Sequence, residues 1–182
     1  MMLNRRGKAG PAFHSPTLYP ELETLQVHFA QIRAEALACR ASMIDIADGR
    51  TAAGAWHILP LLAEKEDRAV FSDAQCTANR LLVPHTLDIL STIPDLHACA
   101  FSALDPGKKI LAHRHVNPFV TAAFCLQEGG DAYIVVNGER RAFHDKEIII
   151  FDYTQEHEVV NNGVQERIVL LLLMNNRLLE IS

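Results

Sequence analysis

The chain has 182 residues, 49% of them hydrophobic and 21% charged, with a formal net charge of −5. That length suits one domain with a substantial core, and that balance excludes wholesale disorder. The negative charge also excludes the basic footprint of a nucleic-acid binder, because the pairs Arg5-Arg6, Lys108-Lys109 and Arg140-Arg141 stand isolated. The longest apolar run, Ile168 to Met174, falls far short of the roughly 18 residues a spanning helix needs. Met1 to Pro20 holds no apolar signal core, and Cys39, Cys76, Cys99 and Cys125 show no C-x-x-C spacing. Both features lead us to expect a cytoplasmic protein with free thiols and no membrane association.

In chain order, residues 1–20 carry Gly, Pro, Ser and basic residues without apolar period and read as a flexible N-terminal arm. From Glu21 to about Ser42, Leu22, Leu25, Phe29, Ile32 and Ala36 recur at helical spacing, with acidic residues at the start where the helix dipole favours them. One stripe of that helix should pack on a sheet. Ile44 to Gly54 reads as a loop with an Asp48-Gly49 turn, and Ala55 to Leu62 as a short strand ended by proline. Ser72 is placed to cap a helix beginning near Asp73, and Pro84 to open another that ends at Pro94-Asp95.

At Leu96 the period changes. Eight strand candidates follow, at about 96–104, 109–115, 119–127, 131–137, 139–143, 146–151, 156–160 and 165–175. Between them stand turn signals: Asp105-Pro106-Gly107, Gly129-Gly130, Asn137-Gly138 and Asn161-Asn162-Gly163. Short strands at this spacing predict a mainly β protein with N-terminal helices (α+β): a jelly roll, two sheets facing each other across a pocket. We expect a single domain over 21–182, with a helical part at 21–95 and the β-core at 96–176.

Three histidines draw the chemistry together. Alternation puts His113 and His115 on one face of a strand, and His157 opens a later strand segment. Three imidazoles on one side of a metal leave open positions on the other, and imidazole suits Fe, Zn, Cu and Ni alike. Arg167 stands at the head of the apolar strand Ile168 to Met174, where a guanidinium fork can take a carboxylate bidentately.

The spacing of Gly107, His113-x-His115, His157 and Asn161 resembles the cupin signature, without the acidic residue that commonly follows the first histidine pair. A tighter resemblance runs over about residues 55–176. The series Trp56-x-x-x-Pro60-Leu61, Ile93-Pro94, Ala100-Phe101-Ser102-x-Leu104-x-Pro106-Gly107, His113, Phe151-Asp152, His157-Glu158, Asn161 and Arg167 is similar to the aspartyl/asparaginyl β-hydroxylase family. That resemblance implies a double-stranded β-helix and an oxygenase dependent on iron(II) and 2-oxoglutarate. It implies His113 and His157 as iron ligands, and Arg167 and Ser102 as contacts of the 2-oxoglutarate cosubstrate. His115 is a candidate third ligand that the family does not require.

One departure stands out. The family's Arg-x-His pair on the next strand falls, by count, on Ala122 and Phe124, which would make the cosubstrate pocket more apolar. Trp56, Arg114, Ala122 and Phe124 are the candidate pocket residues. The expected activity is hydroxylation of an aliphatic C–H of a small or carrier-bound, amino-acid-like molecule, with O2 as co-reactant. Two alternatives stay open: a three-histidine cupin dioxygenase acting without 2-oxoglutarate, and a non-catalytic cupin that binds a metal or ligand. Self-association is also left open.

Overall fold

The computed structural model describes residues 10–52, 54–64 and 71–180. The chain enters through β1 (Phe13–His14) and two short 3-10 turns, followed by α1 (Glu23–Val27) and α2 (Phe29–Ala38). After β2 (Ile44–Asp45) and β3 (Trp56–Leu62) come α3 (Asp73–Arg80) and α4 (Pro84–Leu90). The β-core then runs β4 (Leu96–Leu104), β5 (Lys108–His113), β6 (Phe119–Glu128), β7 (Ala132–Val136) and β8 (Glu139–Ala142). It is completed by β9 (Ile148–Asp152), β10 (His157–Asn161) and β11 (Arg167–Asn175), and a short α5 (Arg177–Glu180) follows. No helix among the described residues is long and apolar enough to cross a membrane.

Two antiparallel sheets face each other, one ordered β1-β9-β6-β11-β4-β3-β2 and the other β5-β10-β7-β8. This is the expected β-sandwich of jelly-roll type. Alternation sorts the side chains of the large sheet. Phe101, Ala103, Ala122, Phe124, Leu170 and Leu172 face the helical layer, where they meet Leu22, Leu25, Ile32 and Ala36. Leu104, Ala123, Cys125 and Val169 face the small sheet, against Ile110, Ile134, Val136 and Val159. With both faces covered, β11 has to be apolar throughout, which explains the unbroken run from Ile168 to Met174.

Several elements form for local reasons. Ser72 accepts a hydrogen bond from the Gln75 N–H and caps α3, and Pro84 opens α4 at a position where no N–H is needed. Asn137 and Gly138, with φ of 48° and 83°, form the tight turn between β7 and β8. The observed strands from β4 to β11 match the sequence-based ranges to within two residues at each end.

Four expectations need correction. The N-terminal arm does not extend to residue 20: Phe13 and His14 pair with Phe151 and Ile150, and the Tyr19 hydroxyl donates to the Asn175 carbonyl. Residues 1–9 of that arm lie outside the described residues. The long helix is two helices, interrupted at His28, where the backbone leaves helical geometry at φ −99° and ψ 18°. The segment after Ser42 is not all loop, because Ile44 and Asp45 pair with Ile58 and His57 at the sheet edge. Finally, Pro60 does not end β3. It sits at a register shift against β4, where a bulge spares the ladder the missing N–H.

Candidate metal centre and adjoining cavity

β5 and β10 are neighbours in the small sheet, and their register sets His113 directly opposite His157. The two rings lie 4.3 Å apart between centroids. His115 reaches the same place by another route. β5 stops at His113, so strand alternation does not position His115. Instead its backbone N–H donates to the Tyr153 carbonyl, and its ring stacks on the Tyr153 ring at 3.7 Å and 6°. One ligand atom from each of His113, His115 and His157 lies within 4.8 Å of the others.

The tautomers follow from the partners. His113 Nδ1 donates to the Leu111 carbonyl at 2.7 Å, and His157 Nδ1 donates to the Gln155 carbonyl at 2.8 Å. Each ring therefore keeps its proton on Nδ1 and offers the Nε2 lone pair, as metal-binding histidines do when a carbonyl orients them. Burial pushes His157 down to about 4, partly opposed by its bond to Gln155. Burial, then the neighbouring His113 and His157, push His115 down to about 3. His113 is also lowered, first by burial. All three imidazoles are neutral at physiological pH and ready to coordinate. Three convergent neutral imidazoles, two of them with an Nδ1–H oriented by a carbonyl, fit a divalent first-row metal ion.

Beside the cluster, between the sheets, lies a cavity of about 270 Å³ lined by His113, His115 and His157 together with Arg167, Ser102, Trp56 and Thr121. Arg167 is 2% exposed, yet among the described residues no carboxylate accompanies it. Its Nε has no hydrogen-bond partner, and its guanidinium lies 5.2 Å from the centre of the Phe143 ring. Burial pulls it down to about 10, so it stays charged at neutral pH. A buried unpaired cation is costly unless an anion completes it, so Arg167 has the character of a receptor for an anionic ligand.

The placement of Arg167 depends on Asn161. The Asn161 amide donates to the Leu104 and Gln165 carbonyls, tying the end of β10 to the end of β4 and the turn before β11. That turn packs so closely that a Cβ on Gly163 would stand 1.8 Å from the Gly129 carbonyl oxygen. Ser102 lines the cavity from β4, its hydroxyl accepting a bond from Trp56 Nε1 at 3.0 Å. The hydroxyl proton of Ser102 remains available to a ligand.

The other candidate pocket residues divide. Trp56 lines the cavity. Ala122 and Phe124 do not: both are fully buried on the opposite face of β6, and Phe124 packs edge-on against Phe29. The inward face of β6 carries Thr121, Ala123 and Cys125, so the count along the chain was one residue out of phase. None of those three is basic, so the inward face, like the counted positions, lacks the Arg-x-His pair usual in the family that the sequence resembles. Arg114 points to solvent, 71% exposed, within 3.9 Å of Glu156. Arg140 pairs with Asp131 and His144 lies near Glu128, both on the outside.

Three polar lining residues were missed in the sequence. Thr121 Oγ1 is buried without a partner among the described residues and sits in the cavity wall. Asp48 and Arg50 reach the cavity from the loop after β2. Nothing periodic marks them; the Asp48-Gly49 turn was the one available signal.

The profile of the family described as Aspartyl/Asparaginyl beta-hydroxylase matches residues 26–176. Comparison with curated protein sequences gave no match. Among solved structures, the chain is similar to a prolyl-4-hydroxylase from Pseudomonas putida, with 18% identity over 81% of this chain and 88% of that one, at a TM-score of 0.49. It is similar to a predicted oxalate decarboxylase from Thermotoga maritima, with 16% identity over 74% and 92%, at 0.48. The Cnp3 cupin domain of Schizosaccharomyces pombe is similar at 10% identity over 78% and 75%, with a TM-score of 0.47.

Proposed function

Because the chain belongs to the aspartyl/asparaginyl β-hydroxylase family, we propose that it is an iron(II)- and 2-oxoglutarate-dependent oxygenase hydroxylating an aliphatic C–H of a small, amino-acid-like substrate. The observation that carries this proposal is Arg167: a fully buried guanidinium without an acidic partner among the described residues, opening on the same cavity as the three-histidine cluster. A cosubstrate with a chelating end and a distal carboxylate would satisfy both at once.

In this assignment His113 and His157 hold the metal through Nε2, their Nδ1 protons fixed on Leu111 and Gln155. His115, steadied by Tyr153, completes a three-imidazole face. Arg167 takes the distal carboxylate, where the dry surroundings strengthen a charge-assisted bond. Ser102 and Thr121 donate their free hydroxyl protons to the same ligand. Iron with 2-oxoglutarate and O2 supplies the oxidising power for C–H hydroxylation, with succinate and CO2 as co-products. The apolar walls keep water from that chemistry.

Anaerobic titration of the iron(II) protein with 2-oxoglutarate should produce a metal-to-ligand charge-transfer band. Intact iron binding with no band would sink the proposal. Arg167→Met should weaken 2-oxoglutarate by about ten- to a hundredfold, the loss of a charged hydrogen bond, while leaving metal affinity within about twofold. Equal loss of both would remove Arg167 from its role.

A second reading, a three-histidine dioxygenase that binds substrate directly, is favoured by one observation: His115 joins the cluster while the inward face of β6 bears no cation. Oxygen consumption by the iron protein without 2-oxoglutarate would select that reading, and stoichiometric succinate release would reject it.

A further inference from the structure

The cavity wall also carries an ion pair that the proposed chemistry leaves unused. Asp48 and Arg50 line the cavity, each about two-thirds buried, on the loop between β2 and β3. Arg50 Nε donates to Asp48 Oδ2 at 2.6 Å, the Arg50 backbone N–H donates to Asp48 Oδ1 at 3.0 Å, and Nη2 also contacts the carboxylate. Nη1 has no protein acceptor among the described residues. The guanidinium lies 4.9 Å from the centre of the Trp56 ring.

The pair is held firmly. The Arg50 carbonyl accepts a bond from the Leu111 N–H at 2.8 Å, and the Leu111 carbonyl in turn orients His113. The Ile46 N–H donates to the Trp56 carbonyl at 2.8 Å, which fixes the loop at its start. The charges therefore stand at a set distance from the metal ligands, and the positive charge of Arg50 reaches all three histidines.

We infer that Asp48 and Arg50 form the headgroup site for a free α-amino acid with an aliphatic side chain. Arg50 takes the α-carboxylate and Asp48 the α-ammonium. Three observations lead there. The pair is net neutral, so it complements a zwitterion better than a simple anion, for which Asp48 would be repulsive. The cavity wall also carries Ile46, Ile58, Phe71 and Ile110, an apolar surface that suits a hydrocarbon side chain. The volume of about 270 Å³ lies below the usual range of roughly 300–1,000 Å³ for ligand pockets, which favours a small ligand over a peptide segment. This inference rests on the oxygenase assignment only for which C–H is presented to the metal; the headgroup site stands on its own.

Trp56 is the single tryptophan of the chain, so its fluorescence reports on Arg50 directly. The zinc-loaded, redox-silent protein saturated with 2-oxoglutarate would be titrated with alanine, valine, leucine, isoleucine, methionine and proline. For any amino acid that binds, its one-armed analogues would follow, the α-amide and the deaminated carboxylate, which for leucine are leucinamide and 4-methylpentanoate. At least one amino acid should change the emission saturably, and the matching one-armed analogues should bind about tenfold or more weakly. By calorimetry, Arg50→Met and Asp48→Asn should each weaken that amino acid about tenfold while zinc content and 2-oxoglutarate affinity stay within about twofold. Silence across the whole panel would overturn the inference. So would analogues that bind as well as the amino acid, or variants that bind it unchanged. Amino-acid binding without 2-oxoglutarate binding would instead reject the 2-oxoglutarate-dependent assignment and leave the headgroup site standing.

Discussion

Single residues divide the work of the cavity by what their neighbours leave unsatisfied. His113 and His157 have their Nδ1 atoms occupied by carbonyls, so their free nitrogens point to one task. Arg167 has lost water without gaining an acid among the described residues. His115 differs from the other two because a ring stack, not a hydrogen bond to its imidazole, holds it. His157→Ala should abolish stoichiometric metal binding. His115→Ala should lower metal affinity yet keep a one-to-one site, both read by competition with a chromophoric chelator. Unchanged affinity in His115→Ala would mean a two-histidine centre. Residue identities of this kind were legible in the sequence for His113, His157, Ser102 and Arg167 because each stands in an ordered run of motifs. Asp48, Arg50 and Thr121 were not, since a loop has no period and a threonine on a strand announces nothing.

Elements position these residues through register. The pairing of β10 with β5 brings His157 opposite His113, and the pairing of β11 with β4 and β6 sinks Arg167 below the surface at the sheet's centre. The turn around Gly163 is the tightest point of this arrangement. Gly163→Ala should cost about 3 kcal/mol or more, because the new Cβ meets the Gly129 carbonyl and other backbone atoms that cannot give way, a Tm loss of roughly 6 °C or more by calorimetry. It should also weaken 2-oxoglutarate, since the strain falls on the turn that leads into Arg167. Ser72→Ala should cost about 1 kcal/mol through the lost α3 cap and leave both ligands unaffected. Strands from β4 onward were readable because alternation and turn chemistry are local. The edge strands β1 and β2 were not, because two residues become a strand only where a neighbouring ladder offers free partners. His115 was assigned to a strand that ends before it, although it still reaches the cluster.

For the whole molecule, the histidine cluster links metal, protons and stability. His157 and His115 have folded values of about 4 and about 3, against an ordinary value of 6.5. Below 6.5 the unfolded chain takes up these protons first, so the metal-free protein is fully stabilised above that pH and loses stability as pH falls toward 4. Urea midpoints of the apoprotein should therefore drop between neutral pH and pH 5, and His157→Gln should flatten that slope. An equal slope in the variant would remove His157 from the linkage. Metal binding adds stability by mass action, so chelation of the loaded protein should lower its Tm, and excess zinc should restore it.

The sequence by itself determined the β-sandwich, the order and limits of its main strands, the hairpin turn at Asn137-Gly138 and the pairing of two histidines with one arginine. The strands and the turn are written in short-range period and spacing, which survive without knowledge of neighbours, whereas the histidines and the arginine are carried by the family's ordered run of motifs. Only the tertiary structure decided which face of β6 looks inward, because alternation gives two faces and the second sheet chooses between them. The same holds for the solitude of Arg167 and the approach of Arg50 to Trp56. Both depend on contacts between segments far apart in the chain, and on which charges the folded interior leaves without a partner.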